Sequence, residues 1–339
     1  MVCDHRLPSE DTEPEIMVKT ANQCQFDAIP VIDLQAWFGG SSSVKYGIAK
    51  RVNRVCREVG FMYVRNHGIP GSLIECAFKQ TRSFFSLPEE EKLKIHYRRT
   101  GGHRGYLPMK VESSDPTAEA DLKEAFDCGL VLQPRDSVEL TWARMIAPNL
   151  WPENLPGFKE GVERYFNAVW QVAQTMFQIF AMSFGISEDF FDDKIDRPIA
   201  TLRLLHYPPH AMQATNSLGI GAHCDYECFT ILAQDDVGGL QVQNTYGEWV
   251  DAPPIPGTLV INIGEMLSRW TNDLFVATPH RVINPSGRQR YSIPFFFATN
   301  NDTVIECLDS CYGEDNSPKY PSIAAGTYLA RRLKEIYGV

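Results

Sequence analysis

Residue types that bind metals, followed by residue types that bind carboxylates, stand in a fixed order in the second half of this chain. His223 and Asp225 are one residue apart in GAHCDYECFTIL. On an extended strand, residues two apart share a face, so this spacing aims an imidazole and a carboxylate into one space. Gly219 and Gly221 permit a turn ahead of the pair, and the apolar, β-branched run FTIL after it reads as a strand entering a core. A second imidazole, His280 in TPHRVIN, follows 57 residues later, and ten residues beyond it comes Arg290-Tyr291-Ser292. Two imidazoles and one carboxylate on one face of an octahedral ion leave three positions open. That is the ligand set of non-haem Fe(II) sites that hold a co-substrate by two atoms and still bind O2. The planar guanidinium of Arg290 suits a carboxylate held through two bonds, and the Ser292 hydroxyl, two residues on, adds a donor. Tyr207 in LLHYPP is a third donor, and a small dicarboxylic acid would bridge from Arg290 to the metal.

The other histidines fit this chemistry less well. A ligand from His206 or His210 would close a position that O2 needs, so both read as structural or exposed. His5, His67 and His96 carry no spacing signal, whereas His103 lies in a Gly-rich loop able to reach the site. Cys224 faces away from its two neighbours by strand alternation and reads as a small core residue. Arg269, after the strand TLVINIG, is a candidate to face a substrate. The row Phe295 to Phe297 reads mainly as core, with Phe297 a candidate to line a pocket.

The elements that position these groups follow from periodicity. Short β-rich runs begin near residue 199: TLRLLHY, CFTILAQ, GLQVQN, EWVDAP, TLVINIG, VATPHRVI and RYSIPFFFA. Runs of this length and spacing predict a sandwich or barrel such as a jelly roll, with NTYG (244–247) as a hairpin loop. Upstream, Ile29 to Ile32 predicts a first strand, and apolar residues from Val44 to Val59 recur at helical spacing up to Gly60. FMYVRNHG is a strand, 70–85 a second helix, and 157–185 a long, mostly buried helix. Residues 99–155 are rich in Gly, Pro and mixed charge and read as lid loops bordering the site. The expected organisation is a flexible tail (1–25), an N-terminal helical and strand region (26–155), and a β core with supporting helices (156–339), all in one compact unit. The fold class is mixed α/β, mainly β.

Composition narrows the partners. With 44% hydrophobic and 22% charged residues, the 339-residue chain can bury a substantial core. Its 32 basic and 42 acidic residues give a net charge of −10 with no basic tract, which argues against nucleic acid as a partner. No apolar run reaches membrane-spanning length, so no membrane partner is expected. The nine cysteines include no CxxC pair, which points to free thiols in a reducing, cytosolic compartment.

Taken together, the segments IPVIDL, VGFMYVRNHG, FFSLPEEEK, RGYLP, GAHCDYECFTIL, DDVGGLQV, GEWVDAPPIPGTLVINIGEML, TPHRV and RYSIPFFF resemble the iron(II)/2-oxoglutarate-dependent dioxygenases of the isopenicillin N synthase-like family. The resemblance runs from about residue 27 to 337. It implies a double-stranded β-helix flanked by helices, His223, Asp225 and His280 as iron ligands, and Arg290, Ser292 and Tyr207 around 2-oxoglutarate. The implied reaction consumes O2, decarboxylates 2-oxoglutarate to succinate and CO2, and oxidises a small-molecule substrate. Two positions depart from the plant members of the family: Leu205 stands in place of an Asn, and Glu265 in place of an Asp. Substrate contacts are expected from Arg104, Tyr106, Glu124 and Phe126 in the lid stretch, with Gly101, Gly102 and Gly105 supplying mobility. An iron oxidase of the same fold that does not use 2-oxoglutarate, and a non-catalytic small-molecule binder, remain open from the residues alone. A zinc hydrolase is disfavoured, because no water-activating partner appears at useful spacing.

Overall fold

A computed structural model describes residues 26–99, 103–112, 121–131, 147–209, 219–284, 286–313 and 316–337. The tail at 1–25 lies outside them. In chain order the strands are β1 (Val31–Asp33), β2 (Phe61–Arg65), β3 (Gly105–Leu107), β4 (Glu124–Gly129), β5 (Pro198–Tyr207), β6 (Ile220–His223), β7 (Phe229–Gln234), β8 (Leu240–Gln243), β9 (Trp249–Asp251), β10 (Thr258–Ile263), β11 (His280–Val282), β12 (Arg290–Asn300), β13 (Val304–Ile305) and β14 (Ile323–Ala324). The helices are α1 (Ser42–Glu58), α2 (Gly71–Phe85), α3 (Glu89–Leu93), α4 (Phe158–Ser183), α5 (Glu265–Trp270) and α6 (Ala325–Tyr337).

Eight strands form one sheet in the order β1-β2-β10-β7-β12-β5-β4-β3, and four form a second in the order β6-β11-β8-β9. This is a jelly roll whose first two strands come from the N-terminal third of the chain. The hairpin between β8 and β9 turns at Asn244–Gly247, where the Asn244 side-chain oxygen accepts from the amides of Tyr246 and Glu248. Such an Asx turn supplies the local bonds that a loop longer than two residues lacks.

One face of the large sheet packs on helices. The α4 residues Phe166, Phe177 and Phe180 meet Phe295, Phe297 and Phe229 edge-on or tilted, at centroid separations of 5.2–5.8 Å. α4 is apolar on most of its circumference because it also packs on α1 and α2. Burying so many aromatic rings fixes the sheet in place, since each contributes a large apolar area and packs edge-to-face. The sheet's other face is thereby free to hold polar chemistry.

The stretch expected to be lid loops is partly sheet. β3 and β4 continue the large sheet beyond β5, with Asp127 paired to Arg203 and Tyr106 to Phe126. Gly105 is not a hinge. Its φ is +105°, and a Cβ there would lie 2.3 Å from the Ile95 carbonyl oxygen, so only glycine allows β3 to pass this turn. Gly101, Gly102 and residues 113–120 and 132–146 lie outside the described residues.

Candidate active site

Strand alternation decides which side chains reach the open face. From β7 come Thr230 and Gln234, from β10 Asn262, from β12 Arg290, Ser292 and Phe296, and from β5 Arg203, Leu205 and Tyr207, each set with even spacing. Registers Arg290↔Tyr207, Ser292↔Leu205 and Phe296↔Thr201 align them into rows across the sheet. Against this face the small sheet presents His223 at the end of β6 and His280 at the start of β11, directly paired.

His223, Asp225 and His280 bring one ligand atom each within 4.8 Å of one another. The His223 Nε2 and His280 Nε2 atoms lie 3.6 and 3.7 Å from Asp225 Oδ1, too far for hydrogen bonds, so the three atoms face a common point. Each imidazole is oriented from behind. His223 Nδ1 lies 2.8 Å from the Gly221 carbonyl and His280 Nδ1 3.3 Å from the Thr278 carbonyl. A carbonyl can only accept, so Nδ1 carries the proton and Nε2 offers its lone pair. Asp225 is held likewise: Thr230 Oγ1 and Asn262 Nδ2 donate to Oδ2, leaving Oδ1 to the site. Burial raises the Asp225 carboxyl, but the His280 and His223 imidazoles and the Thr230 hydroxyl outweigh it and hold the group well below the usual carboxylate range. Burial, with the neighbouring His223, brings His280 down to about 4, so it is neutral at physiological pH. A carboxylate and two neutral imidazoles with fixed tautomers fit a divalent cation, and the mixed N/O set fits Fe(II). Cys224 faces away, as alternation predicts, with its thiol on the Ala277 carbonyl.

Arg290 is buried on the same face. Its Nε donates to the Gly238 carbonyl at 2.6 Å, Nη1 to Ser292 Oγ at 3.2 Å and Nη2 to Gln234 Oε1 at 3.4 Å, and the guanidinium stacks 4.6 Å from the Tyr207 ring centroid. Among the described residues no carboxylate lies within ion-pairing distance of it, and Asp235 acts on it only at longer range. A buried guanidinium without a counter-charge is costly unless a ligand supplies one.

Next to the histidines lies a cavity of about 160 Å³. One wall is charged and tightly paired. Arg203 donates to both carboxylate oxygens of Asp127 (2.8 and 2.7 Å) and both of Glu112 (3.0 and 3.1 Å). Lys123 lies 3.0 Å from Glu112 and from Asp121, and Asp121 accepts from the Gly221 amide, tying this network to the strand that carries His223. Arg104 lines the cavity too, donating to Thr201 Oγ1. It passes so close to Gly129 that a Cβ there would overlap it at 2.0 Å. The other wall is apolar: Leu205, Ile220, Phe296 and, from α6, Leu329 and Leu333. Glu227 faces the cavity beside Asp225; burial and the Asp225 charge push its carboxyl up to about 7, against the pull of Arg203.

Five of the expected substrate contacts lie elsewhere. Tyr106 and Glu124 belong to a buried cluster on the helix-covered face, where Glu124 accepts from Lys92 Nζ and Tyr106 OH at 2.6 Å each and meets His206 Nδ1 at 2.7 Å. Phe126 packs among Phe84, Trp151 and Phe158. Phe297 points to α4, and its neighbour Phe296 lines the cavity. Arg269 binds the Pro321 carbonyl and stacks on Tyr320, clear of the site. Three of these five are one-residue parity errors: the cavity takes Asp127 and Phe296, not Phe126 and Phe297, and Lys123, just ahead of β4, not Glu124. No local spacing marks Glu112, Arg203 or Glu227, and in α6, a helix by its sequence, Leu329 and Leu333 at i,i+4 signal a packed face but not what it covers.

Residues 29–154 match the family described as the N-terminal region of the non-haem dioxygenase in morphine synthesis, and residues 198–299 match the 2OG-Fe(II) oxygenase superfamily. A 2-oxoglutarate-Fe(II) type oxidoreductase of Emericella nidulans is 34% identical over 317 residues, covering 92% of this chain and 91% of that protein. A homoarginine-6-hydroxylase of Glycine max is 36% identical over 299 residues, covering 84% and 89%. A full-length Neurospora crassa protein solved in complex with alpha-KG and thymine superposes with a TM-score of 0.82 at 32% identity, covering 91% of this chain and 96% of that one. In sequence, in fold and in the groups its site assembles, this chain belongs to the 2-oxoglutarate- and Fe(II)-dependent dioxygenases.

Proposed function

We propose that His223, Asp225 and His280 hold one Fe(II), that Arg290, Ser292 and Tyr207 hold the distal carboxylate of 2-oxoglutarate, and that a small polar molecule is oxidised in the adjoining cavity. The observation that carries this reading is the placing, between the two sheets, of two imidazoles with preset tautomers, one carboxylate, and a buried guanidinium that no carboxylate pairs among the described residues. When bound, Fe(II) supplies the redox chemistry: with O2 it decarboxylates 2-oxoglutarate to succinate and CO2 and oxidises a C–H bond of the substrate.

The protein's own part is orientation and exclusion. Gly221 and Thr278 carbonyls fix the imidazoles, and Thr230 and Asn262 keep Asp225 presenting one oxygen, so the metal's remaining positions stay open to co-substrate and O2. Ser292 and the Gly238 carbonyl hold the Arg290 plane in place before 2-oxoglutarate arrives, which lowers the ordering cost of binding. Phe296, Leu205 and the two α6 leucines line the cavity with apolar surface and keep water from the oxidised carbon. A relative solved in complex with thymine and another named a homoarginine-6-hydroxylase support a small, nitrogen-bearing substrate. The described cysteines are all free thiols, which supports a reducing, cytosolic setting.

Succinate release from 2-oxoglutarate, measured with Fe(II) across a panel of small metabolites, tests the reading. Release stimulated by one chemical class supports it; no release with iron bound would overturn it.

A further inference from the structure

The charged wall of the cavity is selective, because its cations are already engaged. Arg203 spends four hydrogen bonds on Asp127 and Glu112, Lys123 bridges Glu112 and Asp121, and Arg104 is occupied by Thr201 and the Ala200 carbonyl. An anionic substrate group would have to break these bonds, each a charge-assisted contact in a partly dry site. Glu227 is the exception. It lines the same cavity two residues beyond the ligand Asp225, within electrostatic reach of Arg203; its carboxyl accepts from the backbone of Tyr226 and of Glu227 itself, and among the described residues no hydrogen bond or ion pair joins it to another side chain. His103, Thr201 and Tyr226 also line it, and the remaining surface is apolar, from residues such as Leu205, Phe296 and Leu329. A ligand complementary to this cavity has an apolar body and one cationic nitrogen.

We propose that Glu227 is the specificity-determining residue of the prime substrate site, and that the substrate is a small molecule carrying an ammonium or guanidinium group that pairs with the Glu227 carboxyl. The inference rests on the oxygenase reading above and names its substrate class. The arriving cation supplies a counter-charge that no described side chain gives Glu227 at ion-pairing distance. A neutral isostere leaves the carboxyl without one, and an anion is repelled by both Glu227 and Asp225.

Matched compounds differing only in the charged end test this: tyramine, tyrosol and 4-hydroxyphenylacetate as cation, neutral and anion, and L-arginine against L-citrulline. Binding to the full chain is measured by calorimetry without metal, and stimulated succinate release is measured with Fe(II) and 2-oxoglutarate. The cationic member is expected to bind and stimulate about ten- to a hundredfold better than its partners, the worth of one charge-assisted hydrogen bond in a buried site. Glu227→Gln should erase that discrimination, and Glu227→Lys should turn it toward the anion. Preference of the wild type for a neutral or anionic member, absence of binding by every cation, or discrimination that survives in Glu227→Gln would overturn the assignment. Failure of the wild type to bind 2-oxoglutarate would instead overturn the oxygenase reading, and the metal-free calorimetry still decides the role of Glu227.

Discussion

Replacing Arg290 by leucine should separate the binding of 2-oxoglutarate from everything else the proposed site does. In the structure this guanidinium is almost fully buried, has no carboxylate at ion-pairing distance among the described residues, and is held by a carbonyl, a hydroxyl and an amide oxygen. Removing one partner of a buried, hydrogen-bonded charge pair costs roughly 2–5 kcal/mol of binding, so 2-oxoglutarate affinity should fall about thirty- to several-thousandfold. Folding should respond quite differently. The variant loses about 1–3 kcal/mol where the Gly238 carbonyl loses its donor, but it also sheds an uncompensated buried cation, and these effects offset. Without 2-oxoglutarate the two proteins should therefore melt within a few degrees of each other. With co-substrate at about a hundred times the wild-type Kd, the wild type gains about 2.7 kcal/mol by mass action and the variant less than about 1 kcal/mol. Anaerobic calorimetry, with metal and 2-oxoglutarate titrated separately, measures each quantity. Parallel loss of both affinities, or loss of neither, would refute the reasoning.

Three other outcomes follow from named contacts. Asn262→Ala removes one of two donors to Asp225 Oδ2 and should weaken metal binding about ten- to a hundredfold; an unchanged metal affinity in a titration would show that Thr230 suffices. Glu124 is buried, which raises its carboxyl, but His206, Lys92 and Tyr106 more than offset this and hold it below its ordinary 4.5. Its stabilising contribution is therefore present above that value and is lost as pH falls through the depressed one, since the unfolded chain then binds the extra proton. Glu124→Gln should cost about 3–5 kcal/mol near neutrality, and the gap to wild type should close in acid; denaturant titrations at the two pH values check it, and a gap independent of pH would contradict it. Phe126→Ala should cost about 3–5 kcal/mol of stability yet leave the substrate KM unmoved, whereas Phe296→Ala should raise KM; the reverse pattern in paired melting and kinetic measurements would place the cavity on the wrong face.

The parity errors show where sequence stops being informative. A strand with one wet face announces its register by alternation, and β8 does so, with Leu240 and Val242 buried and Gln241 and Gln243 partly exposed. β4 is buried at all six positions, because helices cover one face and the charged cavity wall the other. Its sequence EAFDCG carries no alternation, and a shift of one residue exchanges the two faces. The FFF run in β12 hides its register in the same way. The clustering of His223, Asp225 and His280 was legible because His-x-Asp needs only local strand geometry, and His280 lies opposite His223 in the ladder. The cavity charges were not, since Glu112, Arg203 and Lys123 come from separate segments and have meaning only as a network. α6 could be read as a helix, but what Leu329 and Leu333 cover depends on the tertiary fold.

Metal stoichiometry and 2-oxoglutarate turnover in His223→Ala test the proposed metal site most directly. The wild type should bind one equivalent of Fe(II) and release succinate, and the variant should lose both while keeping its far-UV spectrum and an apo melting temperature near that of the wild type. Retained turnover with iron bound in His223→Ala, or one equivalent of Fe(II) still held at wild-type affinity, would contradict the assignment of His223, Asp225 and His280 as the metal site.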